Sequence, residues 1–302
     1  MAVKSVQVII NGVITTLKYN SQSKMYEGDV TAPSKSSYNQ QKKYYPMKIK
    51  AEDDAGNITQ KDDLDTVIGE SLRLFVKEVV KPVVTVTSPA EDSHIPDNAP
   101  TIFWKVTDND SGVNPEKISI IVDDGQKITG EIEKTKVTDG YQCSYKVPPE
   151  LSEGTHTFKF DAMDFDGNSA VQRTLNIVVD TVPPELSVQS PINNLITNKT
   201  EITLAGRTND ENSNPVVLKY TLNSGEDIKI PVGTNGEFSV TLTLKEGINM
   251  LVVTATDKAG KFSSVTRVVE LDIEAPTINN VVLSPNPAIA ESIVHISAEV
   301  TD

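Results

Sequence analysis

The chain has a single cysteine, Cys143, among 302 residues, so no disulfide can close within it. Stability must come from buried cores, and Cys143, on the alternating stretch CSYKV, is expected to be a small apolar member of one of them. Aromatics are scarce at 5% and apolar residues reach 37%, thin for one large globule and ordinary for slim domains with much exposed surface. Basic residues are outnumbered, 28 Lys and Arg against 42 Asp and Glu, for a formal net charge of −14. Nucleic acid is not an expected partner, because phosphate binding needs clustered cations. No apolar run approaches the roughly 20 residues that span a bilayer, so no membrane association is expected. The opening MAVKSVQVII lacks the basic start, long apolar middle and cleavage site of a secretory signal, and the chain is expected to fold in the cytoplasm or to reach the outside by another route. The three histidines, His94, His156 and His295, lie on or beside separate predicted strands, and no Gly-rich phosphate loop, HExxH or nucleophile elbow occurs. Neither catalysis nor a cofactor is expected.

What the chain does have is repetition. AMDFDGN (162–168) has near copies in AEDDAGN (51–57) and ATDKAGK (255–261), each ending an alternating run at Ala-x-Asp and carrying Gly56, Gly167 or Gly260 at its tip. A hairpin that recurs about every hundred residues means an array of domains. Around it, TIFWKVTD, KISIIVDDG, YQCSYKV and THTFKFDAMD alternate with a period of two and are bounded by Gly, Pro, Asp or Asn, which reads as short antiparallel strands stacked in a sandwich. Asn11-Gly12 marks a tight hairpin between two further strands. Paired or spaced prolines in DTVPP and DIEAP interrupt the sheets, since proline cannot donate to a ladder, and should hold neighbouring sandwiches in a semi-rigid line. The expected organisation is all-β, an extended rod of tandem antiparallel sandwiches. An incomplete domain is expected over residues 1–81, full domains over 82–181 and 182–274, and a C-terminal strand pair over 275–302.

With Pro-x-Val-x-Val at the block start PVVTV, the Ala-x-Asp-x-x-Gly hairpins and linkers of the DTVPP type, the chain resembles bacterial immunoglobulin-like (Ig-like) domains found in tandem on surface proteins and phage virions. The N-terminal SSYNQQKKYYP and AEDDAGN are similar to Ig-like proteins of phages and prophages of gut Firmicutes, encoded among tail and other structural genes. The resemblance implies a non-enzymatic virion component, tail-associated or on the particle surface, made in the host cytoplasm and extracellular after lysis. It would act as a spacer or bind host-surface or mucus glycans weakly, with other virion proteins or copies of itself as partners. The alternatives are a bacterial cell-surface adhesin and an accessory module of a carbohydrate-active enzyme.

Two groups of residues are candidates for something more specific. Asp161, Asp164 and Asp166 with Asn168, and Asp108 with Asp110, offer the hard oxygen ligands that calcium uses. An Asp-x-x-Gly turn explains the same residues, since its carboxylate accepts backbone N–H bonds while glycine takes the left-handed conformation. The third turn carries Ala259 and Lys261 where the second has Asp166 and Asn168, and the expectation is no metal site. Near the other end, Val294, Ile296, Ala298 and Val300 alternate on one face of SIVHISAEVTD and are the expected interface. SVQVIING aligns with KISIIVDDG, so the first block is expected to lack the two strands that the C-terminal pair resembles, which points to head-to-tail strand complementation between copies. Trp104, in step with Ile102 and Val106, is expected inside a core, and of Tyr44 and Tyr45 one is expected in the core and the other at its rim.

Overall fold

The computed structural model describes residues 2–148 and 151–302 and contains β-strands with three short 3-10 turns. It divides into two compact units, Met1–Val179 and Asp180–Asp302.

Unit 1 begins with β1 (Val3–Ile10), β2 (Val13–Asn20), β3 (Met25–Glu27), β4 (Tyr45–Asp53), β5 (Ile58–Asp62) and β6 (Arg73–Leu74). They form one antiparallel sheet in the order β3-β2-β1-β4-β5, with β6 beside β4. Asn11 and Gly12 have φ of 47° and 80°, the two positive values of the tight hairpin turn that matches strand twist, so Ile10 pairs with Val13. Tyr45 is buried and donates its hydroxyl to the Lys35 carbonyl at 3.0 Å, while Tyr44 is half-buried.

The second block of unit 1 is β7 (Val83–Ser88), β8 (Ser93–Ile95), β9 (Thr101–Thr107), β10 (Ser119–Val122), β11 (Glu133–Val137), β12 (Gly140–Lys146), β13 (Gly154–Asp161) and β14 (Arg173–Val179). Two four-stranded sheets, β11-β12-β9-β7 and β10-β13-β14-β8, face each other. Alternation decides what lies between them: Ile102, Trp104 and Val106 of β9 meet Cys143 and Tyr145 of β12, Phe158 and Phe160 of β13, and Leu175 and Ile177 of β14. Each large side chain so buried contributes about 1.5–3 kcal/mol.

Unit 2 repeats this plan with β15 (Glu185–Ser190), β16 (Leu195–Thr197), β17 (Glu201–Asn209), β18 (Val217–Leu222), β19 (Ile228–Ile230), β20 (Glu237–Thr243), β21 (Gly247–Thr256) and β22 (Phe262–Leu271). The sheets are β15-β17-β20 and β16-β22-β21-β18-β19, with Leu204, Phe238, Leu218, Leu251 and Val253 between them. In both sandwiches a short strand pairs parallel to the last one, β8 with β14 and β16 with β22.

Beyond them β23 (Thr277–Ser284) and β24 (His295–Thr301) form a two-stranded sheet. Ile296, Ala298 and Val300 share one exposed face of β24. Val294 lies before the strand begins and is half-buried, so it does not extend that stripe as the alternation suggested.

Candidate acidic clusters at the sandwich ends

The repeated turns end each sandwich with an acid that parity turns inward. Ala162 and Ala255 are buried, and Asp164 and Asp257, two positions later, lie on the same side of the chain and are buried too. Asp108 continues the inward series Ile102, Trp104, Val106, just as Asp210 continues Leu204, Gly206, Thr208. A third acid comes from the segment leading into each sandwich. Glu78 stands four residues before Pro82, and Asp180 stands at the same spacing before Pro184. The structure gathers these acids into two trios, Glu78–Asp108–Asp164 in unit 1 and Asp180–Asp210–Asp257 in unit 2, each with carboxylate oxygens within 4.8 Å of one another.

In unit 1 neutral donors fill the space between the acids. The Asn168 amide donates to Asp164 Oδ2 at 2.7 Å, and to Glu78 Oε1 and the Glu78 carbonyl at 3.1 Å each. Ser111 Oγ donates to Glu78 Oε1 at 3.1 Å. Asp108 Oδ1 accepts the amides of Asp110 and Gly112, and Asp164 Oδ1 that of Asn168. Burial, then the neighbouring Asp164 carboxyl, pushes the Glu78 carboxyl above its ordinary value.

Unit 2 differs in chemistry. Asp180 Oδ1 accepts the Val182 amide at 3.3 Å, Asp210 Oδ1 the amides of Asn212 and Ser213 at 2.9 and 2.6 Å, and Asp257 Oδ1 that of Lys261 at 2.9 Å. The Oδ2 atoms of Asp180 and Asp257 are buried without any hydrogen-bond partner. Burial, with Asp180 and Asp210 alongside, raises the Asp257 carboxyl above its ordinary value.

Of the four turn residues singled out as oxygen ligands, only Asp164 belongs to a trio. Asp161 is drawn aside by Gln172 at 3.1 Å and Lys127 at 3.4 Å, Asp166 Oδ2 accepts the Glu78 amide at 3.0 Å, and Asn168 turns its NH₂ rather than its oxygen to the acids. Asp110 is spent on the first block, accepting from the Ser36 amide at 2.9 Å and the Asn39 amide side chain at 2.5 Å. The positions that vary between turns, Ala259 and Lys261, are therefore not the ones whose carboxylates converge, and Asp257 keeps the place of Asp164. Asp108 and Asp164 were singled out, whereas Glu78, Asp180, Asp210 and Asp257 were missed. For the first three of these the signal is an acid four residues before each block-opening proline and an aspartate at one fixed spacing after it, as in Pro82 with Asp108 and Pro184 with Asp210.

His156 comes within 2.6 Å of Asp123 Oδ2, but its other ring nitrogen lies 2.8 Å from the Ser152 carbonyl, so neither nitrogen is left to accept a proton from a nucleophile. Phe103 is an exposed aromatic the alternation implied but did not single out. It borders a shallow groove of about 260 Å³ on the outer face of β9 and β12, with Lys105, Glu133, Gln142 and Ser144.

Residues 82–159 match the family described as "Bacterial Ig domain". The fold is that of tandem Ig-like sandwiches. Residues 184–273 of the array match the family described as "Glucodextranase, domain B". Bacillopeptidase F of Bacillus subtilis (strain 168) is 23% identical over 200 residues, 66% of the array and 12% of that much longer protein. Among solved structures, the fibronectin(III)-like modules of Clostridium thermocellum CbhA are 16% identical, covering 63% of the array and 94% of that chain with a TM-score of 0.38. A tetra-tandem repeat from the extending region of a large adhesion protein is 19% identical, covering 99% of the array and 73% of that chain with a TM-score of 0.31.

Proposed function

We propose that this Ig-like array is a non-enzymatic structural protein that sets spacing and binds host-surface or mucus glycans weakly, carried on a phage particle as a tail-associated or surface component. The observation that carries the spacer role is how the two blocks of unit 1 are docked. Tyr38 stacks on Phe165 of the repeated turn with ring centroids 5.1 Å apart and planes 19° apart. Asp110 takes the Ser36 amide and the Asn39 side chain, and the backbone of Glu78 is held by Asp166 and Asn168. A spacer transmits position only if its blocks are fixed to one another, and these contacts come from turns rather than from cleft residues. The Phe103 groove offers an apolar platform ringed by hydrogen-bonding side chains, the chemistry a sugar face requires. The exposed Ile296, Ala298 and Val300 stripe suits strand addition by another virion protein or a second copy.

An accessory module of a carbohydrate-active enzyme, or part of a cell-surface adhesin, is the second reading, favoured by the likeness of residues 184–273 to domain B of glucodextranase. Mass spectrometry of purified particles, cell walls and culture supernatant from a host carrying the gene separates the two. Recovery at constant stoichiometry with capsid and tail proteins is the expected result. Recovery only with the cell wall, or on a polypeptide bearing a catalytic domain, overturns the virion reading.

A further inference from the structure

The unit 2 trio holds three buried carboxylates close together. Asp180 is 1% exposed, and Asp210 and Asp257 are each 6% exposed. Each has one oxygen tied to a backbone amide, which fixes the orientation of the carboxylate. The remaining Oδ2 atoms of Asp180 and Asp257 are buried with no donor. Buried charge of one sign without a partner is the arrangement proteins avoid unless a cation completes it. The protein's nearby cations do not fill that role: Lys261 meets the trio through its backbone N–H, and Lys258 is exposed.

We propose that Asp180, Asp210 and Asp257 together bind one calcium ion. The donor set is all oxygen, which suits a hard cation, and its spread matches the size of one. Two oxygens on opposite sides of calcium, each at about 2.3–2.6 Å, are about 5 Å apart, and the trio's oxygens lie within 4.8 Å of each other. Magnesium suits the site less, because it demands a smaller near-ideal octahedron and keeps most of its waters. The unit 1 trio is the internal comparison. There the Asn168 amide bridges Asp164 and Glu78, and the equivalent of Asn168 is Lys261, whose side chain cannot make the same neutral bridge. One substitution thus separates a cluster closed by an amide from one that needs an ion.

The test is calorimetric titration of calcium chloride into the full chain, stripped with chelator and exchanged into buffer at pH 7.5, with thermal unfolding followed in parallel. One calcium ion per chain is expected, with the unit 2 transition raised by more than about 10 °C at a hundred times the dissociation constant. Asp180→Asn and Asp257→Asn should each weaken binding at least tenfold, while Asp164→Asn and Lys261→Ala leave it unchanged. Absence of both binding heat and a melting shift in the unaltered chain overturns the proposal whether or not the variants fold. So does binding that survives Asp257→Asn but is lost in Asp164→Asn.

Discussion

Replacing Trp104 tests the core of the second block directly, because it is the chain's one tryptophan and its emission reports on that block alone. The side chain is 1% exposed and its ring packs against Phe160 with centroids 5.1 Å apart and planes at 54°. Trp104→Ala removes a buried aromatic from between two sheets and should cost about 3–5 kcal/mol, including an aromatic pair worth about 0.5–1.5 kcal/mol. At the lower bound the block's melting temperature falls by about 12–24 °C for a domain of this size. Trp104→Phe behaves differently. The indole Nε1 is buried without a hydrogen-bond partner, so phenylalanine loses contact area but also removes an unsatisfied donor that costs about 1–3 kcal/mol. The two effects nearly offset, and a net change within about 1.5 kcal/mol is expected. Urea unfolding followed by far-UV circular dichroism in the variants, and by tryptophan emission in the unaltered chain, measures both. A Trp104→Ala cost below about 1 kcal/mol would refute the reasoning, as would native emission at the wavelength of solvated indole.

Gly206 pairs with Val188 across β15 and β17, where an added Cβ would lie 2.0 Å from the Ser187 carbonyl oxygen and 2.7 Å from the Phe238 ring. Gly206→Ala should therefore destabilise unit 2 by about 1–3 kcal/mol in chemical denaturation. Burial pushes the Cys143 thiol up to about 12, so it should ignore a disulfide reagent at pH 8 in the native chain and react stoichiometrically in urea. The Asp257 carboxyl is raised from its ordinary 3.8 by burial and by Asp180 and Asp210, so the native state holds that proton more tightly than the unfolded state. In chelator, the Asp257 contribution to unit 2 stability should fall as pH rises from about 4 through the folded-state value, and Asp257→Asn should flatten that part of the profile. Light scattering on the full chain and on a version ending at Glu274 tests the exposed strand pair; if both are monomers at high micromolar concentration, assembly through Ile296, Ala298 and Val300 is wrong.

Much of this architecture is local, and local rules reveal it. Period-two alternation separates Ile102, Trp104 and Val106, all at most 1% exposed, from Phe103, which is 44% exposed, because successive strand residues must point to opposite faces. Asn11-Gly12 specifies its hairpin because few residue pairs tolerate two positive φ values. Adjacent Tyr44 and Tyr45 divide between rim and core for the same geometric reason as Ile102 and Phe103. The acidic trios were hidden by that very sufficiency. An aspartate in a Gly turn is fully explained by the backbone amides it accepts, so Asp164 and Asp257 give no local sign that a second acid lies beside them. Nor could alternation show that the first block would form a single sheet or that Asp110 would be drawn to Ser36 and Asn39. Asp180, Asp210 and Asp257 come from a linker and the ends of two strands in opposite sheets, and only the closing of those sheets brings their oxygens together. A carboxylate's turn bonds are set by its nearest neighbours in the chain, whereas the charge it must share a buried space with is set by whatever the fold packs against it.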